Sequence, residues 1–263
     1  MNSLLIDKIF IKEVQDVVLK AGEILLSFLD KKHDYFYKND GSFATEADLA
    51  SESFLIKNLK RILPEASFLA EESCNKMDEV ESLWRWIIDP LDGTTNFSHG
   101  FPYFAVSVAL AYKEKPVLGF VYNPNTKEMF FAAEGLGAFL NGKKIRVGNR
   151  VEIEKSLVSL VIPCVNKDCL YFQQTVKVLQ DTVCSSIRKL GAASLDLAYV
   201  AAGKLDASVL KYVYWWDIAA GMVLVQEAGG IICEFDKKVI KSNFSSCLAT
   251  NVDLVDKFRN LLD

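Results

Sequence analysis

The chain has 263 residues, a formal net charge of −4 and a pI near 5.4, with 51% hydrophobic and 24% charged residues. This composition is typical of a globular protein with a buried core, and the length suits one large domain or two closely packed lobes. The acidic balance provides no basic field for nucleic acid or an anionic membrane, so direct binding to either is not expected.

Cysteine and histidine usage argues against a zinc site of the usual kind. Six cysteines are scattered without a CxxC pair, and the two histidines are His33 and His99. Reduced thiols are therefore expected. The first residues lack the pattern of a signal peptide, and no apolar run approaches the ~18–20 residues of a membrane span. We expect a cytoplasmic protein without a membrane segment.

The first part of the chain is predicted to be helical. Apolar spacing over Leu4–Leu29 predicts a long helix, and turn residues at 38–42 predict a loop. Thr45 and Asp48 match a capping box, which predicts the start of a second helix. Pro64 is expected to end it.

The middle of the chain changes to a strand pattern. Apolar, β-branched and aromatic runs separated by turn residues predict strands at 86–88, 104–112, 118–122 and 128–133. Asn141 and Gly142 then form a strong signal for a tight hairpin turn.

After Arg150 short strands alternate with helices. The predicted strands are 157–162, 185–190, 207–210, 230–235 and 247–250. The predicted helices are 168–179, 194–202, 217–228 and 252–262. The pattern indicates helices layered on two mixed sheets. We expect two lobes, residues 1–150 and residues 151–263.

The most informative stretch is residues 89–96, Asp-Pro-Leu-Asp-Gly-Thr-Thr-Asn, directly after an apolar strand. Asp89 and Asp92 lie where a sheet commonly presents side chains to a ligand. Gly93 permits close backbone approach, and residues 93–95 offer consecutive N–H groups where anions bind. Two acids for a cation beside N–H groups for an anion predict a magnesium-bound phosphate. The alternative is a strand-to-helix turn capped by two aspartates.

Three further segments place acids at the ends of elements. Glu71 and Glu72 follow the apolar run 68–70, Asp217 opens an apolar helix, and Asp48 lies in its capping box. Taken alone, the glutamates are explained as surface residues and the aspartates as helix caps. Four such segments together favour a shared cation site, because clustered like charges are costly unless cations neutralise them.

These motifs resemble the inositol monophosphatase family, within the lithium-sensitive, magnesium-dependent sugar phosphatases. The matching segments are Ala44–Asp48, Glu71–Ser73, Asp89–Phe97, Trp216–Gly221 and Glu227–Gly230. The likeness covers essentially the whole chain in length and order. It implies an α/β protein with a five-layer α/β/α/β/α fold and two mixed sheets, two to three Mg²⁺ ions, and the homodimer usual in this family.

The resemblance also implies which residues hold the metal ions. Glu71, Asp89 and the Leu91 carbonyl would hold one ion. Asp89 would bridge to a second ion, which Asp92 and Asp217 would also hold. A third ion is expected near Glu71.

The same resemblance implies which residues handle water and phosphate. Thr94, with Glu71 and Asp48 nearby, would orient and activate the attacking water. The backbone N–H groups of Gly93, Thr94 and Thr95 would bind the phosphate. His99 follows this loop and is read as an exposed loop histidine rather than an acid for the leaving group.

Substrate choice is expected to depend on the second lobe. Residues of the second lobe and of the metal site are implied to bind the substrate: Asp92, Arg188, Gly191, Ala192, Ala193, Lys211 and Asp217. Inositol-selective relatives carry a glutamate seven residues before the metal-binding aspartate, and Leu210 occupies that position here. Losing this acceptor would cost about 1–3 kcal/mol of binding to ring hydroxyls. Lys211 attracts a second anionic group or is a solvated lysine, and Arg188 lies near the site or makes a dimer salt bridge.

The expected function is hydrolysis of a small phosphorylated metabolite, with inositol 1-phosphate first and broad specificity. The alternative substrates are fructose 1,6-bisphosphate, a 3′-phosphoadenosine nucleotide and NADP. A different class of function is a regulatory partner of the transcription machinery. The acids argue for catalysis, because a pure binding module does not need them clustered.

Overall fold

The computed structural model describes residues 6–29, 35–37, 43–73, 82–161, 169–183, 186–235, 240, 244 and 246–262. The loop predicted at 38–42 lies outside these residues. No helix in this described part is both long and apolar enough to cross a lipid bilayer.

The described residues form seven α-helices and fourteen strands. The helices are α1 (Lys8–Phe28), α2 (Glu46–Ile62), α3 (Thr94–Ser98), α4 (Cys169–Val183), α5 (Ala193–Ala201), α6 (Trp215–Glu227) and α7 (Val255–Leu262). The first nine strands are β1 (Tyr35–Tyr37), β2 (Phe43–Thr45), β3 (Ser67–Ala70), β4 (Trp84–Asp92), β5 (Ala105–Tyr112), β6 (Lys115–Asn123), β7 (Glu128–Ala133), β8 (Gly137–Leu140) and β9 (Lys143–Ile145). The remaining five are β10 (Val158–Val161), β11 (Ile187–Arg188), β12 (Ala207–Lys211), β13 (Ile231–Cys233) and β14 (Ser246–Thr250).

Two mixed sheets form the frame of the molecule, as the sequence predicts. The larger has the order β3-β4-β5-β6-β7-β8-β9, in which β3 and β4 are parallel and the other pairs antiparallel. The smaller has the order β11-β10-β12-β14-β13, with its first two pairs parallel. Strands β1 and β2 form a separate antiparallel pair that the sequence patterns did not indicate.

Helices lie on both sides of each sheet and so complete five layers. Helices α1 and α2 cover one face of the larger sheet, and α5 and α6 lie between the two sheets. Helices α4 and α7 contact each other, and α7 packs on β14. The α/β/α/β/α arrangement expected from the resemblance is confirmed.

Helix α6 lies unusually close to the larger sheet at Gly119. A Cβ atom built on this glycine would stand 2.5 Å from the carbonyl oxygen of Ala220. No side chain fits there without moving the helix, which also carries Asp217 in its first turn. The absence of a side chain at Gly119 therefore helps set the distance between α6 and the sheet.

Gly119→Ala is therefore expected to lower the free energy of unfolding by about 1–3 kcal/mol, because the added methyl group overpacks this contact. Chemical denaturation measures the change. Lys115→Ala, at the exposed end of the same strand, is the control and should shift stability by less than about 1 kcal/mol. Equal stability of Gly119→Ala and the wild-type protein would contradict the close packing.

Several element limits differ from those predicted. Helix α1 begins at Lys8 rather than Leu4, because the Asp7 carboxylate caps it by accepting from the Phe10 amide at 2.8 Å. The capping box of Thr45 and Asp48 is confirmed. Helix α6 begins two residues before its predicted start, so the reading of Asp217 as its N-cap is wrong: Tyr214 is the N-cap.

Candidate active site

Strand β4 extends further than predicted and carries both motif aspartates within its last four residues. Asp89 and Asp92 are 1% and 8% exposed, and the pairing with β5 shifts register between them. Pro90 has no N–H to donate, which suits a break in the ladder. The Asp89 carboxylate accepts from the Leu91 amide at 3.0 Å, and the Pro90 carbonyl accepts from the Ser51 hydroxyl at 3.0 Å. The two acids are thus held at a rigid irregularity.

Gly93 turns the chain from β4 into helix α3. Its φ of 89° lies in the left-handed region that favours glycine, and a Cβ atom there would stand 3.0 Å from the Tyr103 carbonyl oxygen. The Thr94 hydroxyl lies 3.1 Å from the Leu91 carbonyl oxygen and 3.3 Å from a carboxylate oxygen of Asp48. This turn therefore brings the phosphate motif against the capping box of α2.

The Glu71 and Asp89 carboxyl groups are hydrogen-bonding neighbours at the centre of the site. Parallel pairing of β3 with β4 brings them together, and the Glu71 amide extends this pairing by donating to the Ile88 carbonyl at 3.1 Å. Burial raises the pKa of Asp89 well above its ordinary value, and the charges of Glu71, Asp92 and Asp217 raise it further. Acids from three separate segments therefore act on one buried carboxylate.

Asp48 joins this group from the start of α2. Its side chain is fully buried, and burial raises its pKa to about 6 despite hydrogen bonds from Thr45. The Glu71 charge raises this pKa as well. Asp48 therefore has a second contact, to the Thr94 hydroxyl, besides its role as a cap.

Asp92 ties the two halves of the chain together. Its carboxylate accepts from the amides of Ala193 at 3.1 Å and Ser194 at 2.7 Å, and from the Ser194 hydroxyl. Burial raises the pKa of Asp92 to about 6, and the Ser194 hydrogen bonds oppose this rise. The first residues of α5 thus hold an acid about 100 positions earlier in the chain.

The glycine segment before α5 packs directly on the phosphate motif. The Asn96 side-chain amide donates to the carbonyl oxygens of Leu190 at 2.8 Å and Tyr103 at 2.7 Å. Gly191 has a φ of 87°, and a Cβ atom there would lie 3.1 Å from the Asn96 amide nitrogen. Ala192 is buried beside Gly93. The expected substrate segment and the phosphate loop are therefore neighbours.

Asp217 enters the site from the first turn of α6. Its carboxylate accepts from the Tyr214 amide at 2.6 Å, and its charge raises the pKa of Asp89. The positive end of the helix macrodipole favours an acid at this position. The structure therefore brings Glu71, Asp89, Asp92 and Asp217 into electrostatic range of one another.

The remaining candidates lie on strands of the smaller sheet and at the end of α3. Arg188 is exposed on the short edge strand β11, where its guanidinium donates to the neighbouring Ile187 carbonyl at 3.0 Å. Lys211 ends β12, and its Nζ lies 5.2 Å from the centre of the Tyr212 ring. Leu210 is fully buried and pairs with Cys247 in the sheet. His99 is exposed at the end of α3.

The oxygen-rich donor set suits a hard divalent cation such as Mg²⁺ in its chemistry. The acids that act on buried Asp89 repel it, and a bound cation would offset the free-energy cost of this repulsion. Within the residues that the structure describes, however, no three Asp, Glu, His or Cys side chains are gathered into a ready metal-binding group. Instead, Asp89, Asp92 and Asp217 each accept a hydrogen bond from a backbone amide.

Sequence reasoning missed two polar contacts that support the site. The Ser194 contact with Asp92 joins positions too distant for any local pattern to reveal. The Tyr103 hydroxyl donates to the buried Asp196 carboxylate at 2.6 Å, and both side chains have raised pKa values because of burial, with Asp196 at about 7. The sequence offers one signal for Asp196, because it is an acid among the apolar residues of a predicted helix.

The layered fold and its buried acidic site define a phosphatase of the α/β/α/β/α class. The model of the inositol monophosphatase family matches residues 8–259. The chain is 36% identical to inositol monophosphatase 2 of Solanum lycopersicum, covering 97% of this chain and 98% of the relative. It is 36% identical to Nus factor SuhB of Pasteurella multocida, covering 82% of each. The structure of the extragenic suppressor protein suhB from Bartonella henselae aligns with a TM-score of 0.89 at 34% identity, covering 94% of this chain and 96% of that one.

The chain belongs to the inositol monophosphatase family. It is accordingly a phosphoric monoester hydrolase, and this family acts on small phosphorylated substrates.

Proposed function

We propose that the protein hydrolyses inositol 1-phosphate, and related small phosphate monoesters, in a Mg²⁺-dependent reaction. The observation that carries the proposal is the buried Asp89 carboxyl, which contacts Glu71. The charges of Glu71, Asp92 and Asp217 raise the pKa of this carboxyl. Repulsion of this kind between buried acids destabilises the fold unless cations neutralise it. A cation beside the N–H groups of the Gly93 turn would accept a phosphate.

The residues that would hold magnesium are those implied by the family motifs. Glu71, Asp89 and the Leu91 carbonyl would hold one ion, and Asp89, Asp92 and Asp217 a second. A third ion would lie near Glu71. Bound magnesium supplies neutralisation of the phosphate charge and a lower pKa for the attacking water.

The protein's own groups would hold the phosphate and orient the water. The backbone N–H groups of Gly93, Thr94 and Thr95 would bind phosphate oxygens. The Thr94 hydroxyl, in contact with Asp48, is set to orient a water molecule, and Asp48 and Glu71 are the acids that would accept its proton. Direct attack by water needs no covalent intermediate, which suits proposed catalytic residues that are two acids and a threonine.

The substrate assignment is supported by the tomato relative's name, inositol monophosphatase 2. We propose that the small residues Gly191, Ala192 and Ala193 lie against the substrate ring, with Asp92 and Asp217 accepting from its hydroxyls. Leu210 provides no acceptor oxygen, so broad specificity is expected. Lys211 and Arg188 would act on a second anionic group, if the substrate carries one.

A phosphate-release assay across substrates tests this assignment. Inositol 1-phosphate is compared with fructose 1,6-bisphosphate, 3′-phosphoadenosine 5′-phosphate and NADP, each with Mg²⁺ and with or without Li⁺. We expect the highest kcat/KM for inositol 1-phosphate and inhibition by lithium. A higher kcat/KM for a bis-phosphorylated compound, lowered selectively by Lys211→Ala, would instead support the alternative substrates.

Ser194→Ala is expected to move the acid limb of the kcat/KM profile to higher pH. The Ser194 hydroxyl lowers the pKa of Asp92, which is about 6, so its removal raises that pKa. A carboxyl must be ionised to bind a cation, and the protonated form would persist to higher pH. The measurement is kcat/KM against pH at limiting Mg²⁺. Ser194→Thr keeps a hydroxyl and serves as the control; identical profiles for Ser194→Ala and wild type would contradict the proposed role of Asp92.

A regulatory role is the second candidate, because one relative at 36% identity is named Nus factor SuhB. The two functions are separated by Asp89→Asn in cells that lack the wild-type chain. Loss of phosphate release with every cellular phenotype intact would favour a regulatory partner of the transcription machinery. Loss of both would favour catalysis.

We also propose a homodimer in the cytoplasm, as the family resemblance implies. The two lobes, residues 1–150 and 151–263, would meet at the site. The first would carry the metal and phosphate motifs, and the second would complete the metal and substrate site. Light scattering on the purified protein tests the dimer, since a monomer mass at micromolar concentration would exclude a stable one.

A further inference from the structure

Helix α5 carries one acid, Asp196, among apolar side chains of the core. The Asp196 side chain is fully buried, and burial raises its pKa to about 7 although hydrogen bonds from Tyr103 and Ser159 lower it. An apolar side chain of similar size would fill this position at a lower cost in free energy. It would not, however, provide a hydrogen-bond acceptor with a fixed direction.

Tyr103 donates to Asp196 and also contacts the phosphate motif. Its hydroxyl donates to the Asp196 carboxylate at 2.6 Å, and its backbone carbonyl accepts from the Asn96 side-chain amide at 2.7 Å. The same carbonyl oxygen would lie 3.0 Å from a Cβ atom at Gly93, so it packs against the turn that begins α3. One buried residue therefore links the phosphate motif to helix α5.

The part of α5 that Tyr103 contacts is the part that holds Asp92. The Asp92 carboxylate accepts from the amides of Ala193 and Ser194, the first two residues of α5. The Asp196 amide donates to the carbonyl of residue 192 at 3.1 Å, so Asp196 belongs to the same first turn. A helical turn moves as a unit, because its backbone hydrogen bonds fix the dihedral angles of its residues. The position of Asp196 therefore determines where the two amides lie.

Hydrogen bonds fix α5 to the phosphate motif at two points. One is the Tyr103 contact with Asp196, and the other lies before the helix, where Asn96 donates to the Leu190 carbonyl at 2.8 Å. Elsewhere α5 packs on α6 through apolar side chains. Apolar contacts are non-directional, whereas a hydrogen bond restricts both distance and angle. The two points lie on either side of residues 193–194 and so define the location of their amides.

We infer that Tyr103 and Asp196 are positioning residues, whose hydrogen bond orients Asp92 for the binding of Mg²⁺. The inference rests on the proposed magnesium site and assigns a role in it to two residues outside the proposed ligand set. Loss of a partner that orients a metal ligand typically costs roughly 10–100-fold in metal affinity or activity. Tyr103 acts on Asp92 through helix α5, so the lower end of this range is expected.

The first test follows Mg²⁺ binding to the whole chain by isothermal titration calorimetry. In Tyr103→Phe, which removes only the hydroxyl, we expect the Kd for Mg²⁺ to rise about tenfold. Tyr199→Phe is the matched control, because Tyr199 lies on α5 and its ring meets that of Tyr103 edge-on at 5.7 Å, but its hydroxyl donates to Glu128 at 2.9 Å. The control Kd should stay within about twofold of the wild-type value. Equal Kd values in the two variants would overturn the inference.

Two further variants separate positioning from a contribution to stability alone. The double variant Tyr103→Phe with Asp196→Leu removes both polar partners and leaves two apolar side chains, a change that is often neutral or stabilising. We expect its free energy of unfolding in EDTA to be at least that of Tyr103→Phe, while its Kd for Mg²⁺ stays about tenfold above the wild-type value. Asp196→Asn keeps an acceptor for the Tyr103 hydroxyl and should bind Mg²⁺ within about twofold of wild type. Wild-type affinity in the double variant would assign the pair to stability alone and overturn the inference.

Failure of the proposed function is recognised separately. If the wild-type chain neither binds Mg²⁺ nor requires it for phosphate release, the proposed magnesium site is wrong. The positioning of Asp92 is then tested without metal, by hydrogen exchange at the Ser194 amide that donates to it. Faster exchange in Tyr103→Phe than in Tyr199→Phe would support the positioning by α5, and equal rates would overturn it.

Discussion

Asp89→Asn is expected to reduce phosphate release by ~10³-fold, because it removes the carboxylate proposed to bridge two magnesium ions. The same substitution should raise the free energy of unfolding when a chelator is present. The folded-state pKa of Asp89 is raised, so the cost in stability grows as the pH rises above the unfolded-state pKa and is complete above the folded-state pKa. Asparagine keeps the shape and an acceptor for the Leu91 amide without the charge.

The two effects are measured by a phosphate-release assay in Mg²⁺ and by chemical denaturation in EDTA near pH 8. Asp16→Asn is the matched control, because Asp16 is an exposed acid paired with Lys12 and lies away from the acidic site, on α1. It should change both quantities little. A fully active Asp89→Asn protein would contradict the metal site, and a less stable one would contradict the repulsion among the buried acids.

Thr94→Ala is expected to reduce kcat by ~10²-fold, at the low end of the contribution of a positioned acid–base group. The Thr94 hydroxyl lies between Asp48 and the Leu91 carbonyl, where it would orient the attacking water. Its loss removes that orientation but leaves the backbone N–H groups that would hold phosphate. KM should therefore change much less than kcat.

Steady-state kinetics with inositol 1-phosphate separate these quantities. Thr94→Ser keeps the hydroxyl and should retain most of the activity, which distinguishes a lost proton donor from a disturbed turn. Wild-type kcat in Thr94→Ala would remove this residue from the mechanism. A rise in KM alone would instead assign it to substrate binding.

The fold class could be predicted because strand and helix periods change clearly along the chain. Runs such as 128–133 lie between turn signals, and strand β7 occupies the same residues. The capping box at Thr45 was readable because both of its partners lie within one turn. Local chemistry of this kind needs no knowledge of the tertiary structure.

Short elements and helix starts were harder to predict. Strand β11 has two residues and belongs to the sheet only through its parallel pairing with β10. Helix α6 starts at Trp215, because the Asp217 carboxylate accepts from the amide of the preceding Tyr214. An aspartate fits either the cap or the first turn by propensity, so the sequence pattern does not decide between them.

The contacts that join the two halves of the chain were the least accessible from sequence. The motif acids were recognisable, but the Ser194 amide that holds Asp92 lies 102 residues away. The side-chain amide of Asn96 likewise donates to the carbonyl of Leu190, which is distant in the sequence. Tertiary packing alone creates these pairs, and no periodicity records them.

The most direct test of the central proposal is phosphate release from inositol 1-phosphate as magnesium is removed and restored. We predict that activity disappears in excess EDTA and returns on titration with Mg²⁺, in proportion to occupancy of the acidic site. Full activity in the presence of the chelator would contradict the assignment of Glu71, Asp89, Asp92 and Asp217 as magnesium ligands.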